Sequence, residues 1–147
     1  MRDVNVYLSS TDLIMKPDCF WKSNFQKDIN RLVSSSNEYR FHLYDPLQNI
    51  SDKPEIVSDD IQHIIFSDFV VCYLQKSDLT IGTLMELQYS CINKPKDCVI
   101  LIDKHHQHYN HPWIKYWVKH VVFSEHEAAS RIVNILGNSN FTNLKEV

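Results

Sequence analysis

The chain has 147 residues, 44% hydrophobic and 22% charged, which is the make-up of one folded domain rather than a disordered segment. Its formal charge of −3 and pI near 6.2 argue against a basic nucleic-acid surface. Only two glycines occur, Gly82 and Gly137, where average usage of about 7% would give roughly ten, so a GxGxxG dinucleotide fingerprint, a GxxxxGK[ST] phosphate loop and Gly-punctuated repeats are excluded.

Val4 to Leu8 reads as a short strand that ends in the polar turn Ser9-Ser10-Thr11-Asp12. Phe20, Trp21, Phe25, Ile29, Leu32 and Val33 recur at helical spacing, predicting a helix over about 19–35. Tyr39 to Tyr44 alternates like a second strand, which Asp45-Pro46 breaks before a polar loop to about residue 55. Ser58 or Asp59 is the expected cap of a helix carrying Ile61, Ile64 and Ile65. Phe69 to Leu74 is a continuous apolar run, as in a strand covered on both faces. After a polar loop from Gln75 to Thr80, Gly82 to about Ile92 is helix-like, with Leu84, Leu87 and Cys91 on one side. Cys98 to Ile102 repeats the doubly buried strand pattern, and the His-rich stretch 103–112 reads as a loop. A short helix over Trp113 to Trp117 and a strand over Val121 to Phe123 follow. Ser124 is the expected cap of a last helix through Ala128, Ile132, Ile135 and Leu136, with Gly137 as its C-terminal stop.

Strands alternate with helices, and the central strands are apolar throughout. This predicts one three-layer α/β domain over 1–147: a five-stranded parallel sheet of flavodoxin-like order 2-1-3-4-5. Ligands of such folds bind at the carboxyl ends of the strands, near the switch between strands 1 and 3. Cys19, Cys72, Cys91 and Cys98 form no CxxC pair and read as free thiols of a reducing compartment. The N-terminus does not read as a signal peptide, and no run approaches the roughly 18 apolar residues of a membrane span. The expected location is cytoplasmic, without a membrane partner.

Glu86 falls near the start of the helix after strand 3, Asp60 near the start of the helix before it, and Tyr7 at the end of strand 1. All three can reach one rim of the sheet. Two carboxylates and a phenol at one cleft suit glycosyl chemistry, one carboxylate attacking the anomeric carbon and the other handling protons or hydroxyls. A capping role for Asp60 and a core role for Tyr7 explain the same residues without chemistry.

Three segments together resemble the nucleoside 2-deoxyribosyltransferase family, which includes relatives that hydrolyse nucleoside 5′-monophosphates. They are Val6-Tyr7-Leu8; Asp60-x3-Ile64-x2-Ser67-Asp68-Phe-Val-Val; and Ile81-Gly82-Thr83-x2-Glu86-Leu-x-Tyr89-Ser90-x3-Lys94-Pro95. His111-Pro112 and Glu127-Ala128 extend the likeness toward the C-terminus. The resemblance implies that Glu86 is the nucleophile, that Tyr7 orients it, and that Asp60 assists at the base or the sugar hydroxyls. It further implies substrate contacts from Ser9, Ser10, Thr80, Gly82 and Thr83, no cofactor, no metal, and a homodimer or higher homo-oligomer. Thr80 stands where the nucleotide hydrolases have a serine near the 5′-phosphate, a hydroxyl that tolerates the dianion, while the nearby Asp12 opposes it. Gln88 replaces the glycine that commonly follows Glu-Leu in the family.

Other readings compete. His105, His106, His108 and His111 invite a metal, but one loop supplies them all and a solvated loop is the simpler reading. Lys104, Lys115 and Lys119 with Trp113, Tyr116 and Trp117 fit amphipathic packing or a subunit interface better than a nucleic-acid patch. A TIR-like NAD-cleaving domain also combines this fold with a glutamate followed by leucine, though the Trp-Cys pair that precedes it there is absent. A non-catalytic nucleotide-binding module on the same fold is the third alternative.

Overall fold

The structure, a computed structural model, describes residues 1–10, 20–34, 38–46, 54–74 and 81–138. Five strands, β1 (Arg2–Ser9), β2 (Tyr39–Tyr44), β3 (Phe69–Tyr73), β4 (Val99–Ile102) and β5 (His120–Val122), form one sheet of order β2-β1-β3-β4-β5. Every neighbouring pair is parallel, as the alternating pattern predicts. The helices are α1 (Trp21–Val33), α2 (Glu55–Phe66), α3 (Ile81–Asn93), α4 (Pro112–Trp117) and α5 (Glu125–Gly137), with a 3-10 turn at Lys96–Cys98. None of them is long and apolar enough to cross a membrane.

Side chains alternate across a strand, so the apolar runs supply two cores. On one face Val4, Val6, Leu8, Phe69, Val71, Tyr73, Ile100 and Ile102 pack with α1 and α5 through Trp21, Phe25, Ile29, Ala128, Ile132 and Leu136. On the other, Tyr7, Val70, Cys72, Leu74, Val99 and Leu101 pack with α2, α3 and α4 through Ile64, Leu87, Cys91, Ile114 and Val118. The strand order reverses between β1 and β3, where Ser9 lies beside Cys72. Asp68 fixes that register: its carboxylate accepts from Asn5 N at 2.8 Å, and its own N–H donates to Asn5 O at 2.7 Å.

Several boundaries differ from the sequence expectation. α2 begins at Glu55 behind Pro54, so neither Ser58 nor Asp59 caps it, and Asp60 sits in its second turn. Proline is preset for the start of a helix, which outweighs the later polar candidates. Gly137 is the last residue of α5 but makes no left-handed stop. Its φ is not positive, and the chain leaves through Asn138 in extended backbone, which any residue adopts. β5 starts one residue early, at His120. Ser124 does cap α5, accepting from Glu127 N at 3.1 Å.

Candidate active site

Tyr7 and Ser9 lie two residues apart on β1, so both side chains turn to the face that α2 and α3 cover. Cys72 of β3 neighbours Ser9 on that face. Asp60 occupies the inner side of α2, one turn before the buried Ile64. Glu86 comes down from α3, next to the buried Leu87.

The structure brings these groups into one electrostatic cluster. The Tyr7 phenol is fully buried and pushed far up by desolvation, then by the charges of Glu86 and Asp60, so it remains a neutral donor. Burial raises the Glu86 carboxyl above its ordinary range, and Asp60 adds to the effect; the Tyr7 and Ser9 hydroxyls and Lys22 pull the other way. Burial also raises Asp60, against the lowering influence of His63. Cys72 is fully buried and held well up as a neutral thiol, by desolvation first and Glu86 second.

The contact is incomplete in an informative way. The Tyr7 and Ser9 hydroxyls approach Glu86 closely enough to favour its charge. Yet, among the described residues, Tyr7 Oη, Ser9 Oγ and Glu86 Oε2 are all shut off from solvent without a hydrogen bond of standard geometry. Leaving a buried polar atom unpaired costs about 1–3 kcal/mol, and such atoms are rare in folded proteins outside strained or functional places. Two of them here flank one carboxylate, and the third is that carboxylate's own Oε2.

The other sequence candidates are placed as follows. Ser10 is buried and its Oγ accepts from Trp21 Nε1 at 3.1 Å. Thr83 lies on the inner, buried side of α3. Gly82 is the second residue of α3 and has no positive φ. A Cβ added there meets nothing within 4 Å among the described residues. Thr80 and Asp12 lie outside the described residues. Glu86 is the sixth residue of α3, beyond the first turn, so the helix N-terminus contributes less to its charge than its expected position at the helix start implied.

Sequence reasoning missed Lys22, Tyr44 and His63. Lys22, at the start of α1, is paired with Asp45 at 2.5 Å and adds positive potential at Glu86. Tyr44 and His63 pack behind Tyr7. The one available signal was the register of strands 1 and 2, which sets Tyr44 beside Tyr7.

The His-rich loop is organised by the buried Asp103, whose carboxylate accepts from Gln107, His108 and Tyr109 N–H groups at 3.1, 2.8 and 2.8 Å. Among the described residues no group of three or more His, Cys, Asp or Glu comes together as a metal site. Lys104 pairs with Glu125 at 3.5 Å and Lys119 with Asp97 at 2.6 Å. An apolar cavity of about 540 Å³ opens between α3 and α4, lined by Leu84, Leu87, Gln88, Trp113, Ile114 and Trp117 among others. It includes none of Tyr7, Asp60 and Glu86.

No protein-family profile matches the chain, and no curated protein sequence matches it significantly. Solved structures do. One neighbour is the 2-deoxyribosyltransferase from Bacillus psychrosaccharolyticus, with a TM-score of 0.61 and 15% identity, covering 86% of this chain and 90% of that one. Another is a conserved protein from Enterococcus faecalis V583, with a TM-score of 0.61 and 16% identity, covering 89% of this chain and 98% of that one. At these identities the likeness is one of fold.

Proposed function

We propose that the chain is a nucleoside 2-deoxyribosyltransferase-like enzyme. It cleaves the N-glycosidic bond of a (2′-deoxy)nucleoside or its 5′-monophosphate, and passes the sugar to another base or to water. The fold it shares with a 2-deoxyribosyltransferase supports the reading, as do the Asp60 to Asp68 and Gly82 to Leu87 segments. The observation that carries it is the convergence of the Tyr7 and Ser9 hydroxyls on the Glu86 carboxylate at the carboxyl end of β1, with Tyr7 Oη, Ser9 Oγ and Glu86 Oε2 all buried and without a hydrogen bond of standard geometry among the described residues. Oxygens held dry and unsatisfied around one carboxylate are suited to a sugar that supplies the missing partners.

In this mechanism a Glu86 carboxylate oxygen attacks C1′. The C1′–N bond breaks, its electron pair leaves with the base nitrogen, and a glycosyl ester forms on Glu86. Asp60, which burial keeps protonated to higher pH than an ordinary aspartate, delivers a proton to the departing base. The incoming base or water then attacks C1′ and gives its proton to the Asp60 carboxylate, while the C1′–O bond to Glu86 breaks and its electron pair returns to a carboxylate that the Tyr7 and Ser9 hydroxyls stabilise. The chemistry needs no cofactor.

We further infer that a second copy of the chain covers the face made by α3 and α4. Ile81, Leu84, Met85, Ile92, Trp113 and Tyr116 are exposed there, far more apolar surface than scattered single residues. The patch holds both a groove and protruding rings, as a self-complementary two-fold interface requires. Buried thiols in no disulfide at Cys72 and Cys91 suit a cytoplasmic location.

The test is base release. The protein is incubated with a panel of nucleosides, deoxynucleosides and their 5′-monophosphates, with and without an acceptor base, and the products are separated by chromatography. Exchange into the acceptor identifies a transferase, and free base alone a hydrolase. Release from NAD but from no nucleoside would replace this reading with the TIR-like one. Tight binding without turnover would replace it with the binding module.

A further inference from the structure

Tyr7 is held from behind by a stack that reaches the protein surface. Its ring packs on Tyr44, the last residue of β2, with 5.6 Å between centroids and 29° between planes. Tyr44 packs in turn on His63 of α2, at 3.8 Å and 9°. Ring-on-ring packing this close leaves the Tyr44 ring little freedom to move. His63 Nδ1 lies 2.8 Å from the carbonyl oxygen of Asp59, one turn back on α2. A carbonyl only accepts, so Nδ1 donates that bond.

His63 also touches the chemistry by charge. It follows Asp60 by three residues on the same helix, and its positive form favours the Asp60 carboxylate. The charged and titratable groups around it are Asp59 and Asp60 on α2, and His42 and Tyr44 on β2, which share a cavity of about 320 Å³ with it. At the end of α3, Lys94 donates to Ile65 O and Ser67 O, close to the C-terminus of α2. The imidazole is exposed, whereas Tyr7 is fully buried, so the stack joins solvent to the site.

We propose that Tyr44 and His63 are positioning residues of the glycosyl-transfer site: their stack fixes the Tyr7 hydroxyl opposite Glu86, and the charge on His63 acts on Asp60. The proposal rests on the functional reading of Glu86 and Asp60 given above.

Steady-state base release from the best substrate, measured from pH 5 to 8, where histidine changes charge, tests it in the full chain. His63→Phe keeps a ring on Tyr44 and removes the charge. It should hold kcat at pH 7.5 within about twofold of wild type while moving the limb assigned to Asp60 to higher pH. His63→Ala removes ring and charge. It should lower kcat about tenfold, with KM changed less than about twofold, because Tyr7 is no longer fixed. Tyr44→Phe keeps the stack and should match wild type. Since His63 is exposed, its variants should melt close to wild type, which separates positioning from stability. An active wild type with His63→Ala unchanged in kcat and pH profile overturns this proposal alone. A wild type that releases no base from any substrate overturns the functional reading and this proposal together.

Discussion

Tyr7 and Glu86 face each other between β1 and α3, each with a buried oxygen that lacks, among the described residues, a hydrogen bond of standard geometry. The phenol lowers the energy of the carboxylate, while burial raises it more. A folded protein that keeps such a pair accepts a loss of stability at that point, and catalytic sites are where such losses are retained.

Replacing Glu86 should separate stability from activity. Glu86→Gln abolishes base release, with a loss of at least about a thousandfold, yet it should not weaken the fold. The folded-state carboxyl titrates above its ordinary 4.5, so its stabilising contribution is fully present below that pH and is lost as the pH rises through the folded value. The amide has no charge to bury. Melting curves should therefore coincide near pH 4 and diverge with rising pH, Glu86→Gln melting roughly 2–5 °C higher at pH 7.5.

Tyr7→Phe should retain the fold, since the ring and its stack on Tyr44 survive. It removes a donor to the Glu86 carboxylate, so the acid limb of kcat/KM moves to higher pH and kcat falls about 10- to 100-fold. A pH profile of this variant against wild type checks both effects.

Gly82→Ala should raise the melting temperature and keep base release. The glycine sits inside α3, its φ is not positive, and an added Cβ meets nothing within 4 Å. Alanine in a helix stabilises by about 0.5–1 kcal/mol over glycine. Parallel melting and activity measurements decide, and a loss of activity with the fold intact would place the sugar or phosphate against this backbone.

The same position shows what sequence could and could not reveal. The sequence places Gly82 at the start of a helical stretch, but whether a Cβ has room there is a question of neighbouring atoms, and spacing carries none of that. Strand order and the two cores were legible because doubly buried parallel strands leave continuous apolar runs, as in Phe69 to Leu74 and Cys98 to Ile102. Tyr7, Asp60 and Glu86 were legible together because all three lie near the carboxyl edge of the sheet around β1 and β3, where the strand order reverses. The His63 stack on Tyr44 depends on the rotation of α2 about its axis. The spacing of Ile61, Ile64 and Ile65 does not fix that rotation, and the helix starts at Glu55 behind Pro54, ahead of Ser58 and Asp59.

Trp113→Glu should dissociate the oligomer. Trp113 is 64% exposed on α4 and borders the cavity beside α3, so a charge there opposes burial against a second copy without disturbing the core. Sedimentation should show wild type as a dimer or larger and the variant shifted to monomer. A monomeric wild type would remove the α3–α4 face as an interface between copies.

The most direct test of the central claim is the mass of the enzyme caught in mid-reaction. The protein is mixed with a substrate from the panel in the absence of acceptor base, quenched in acid within the first turnover, and digested. The peptide carrying Glu86 should gain the mass of one glycosyl residue, in step with a burst of free base, and Glu86→Gln should show neither. Base released with no adduct at Glu86, or with undiminished release from Glu86→Gln, would contradict the account.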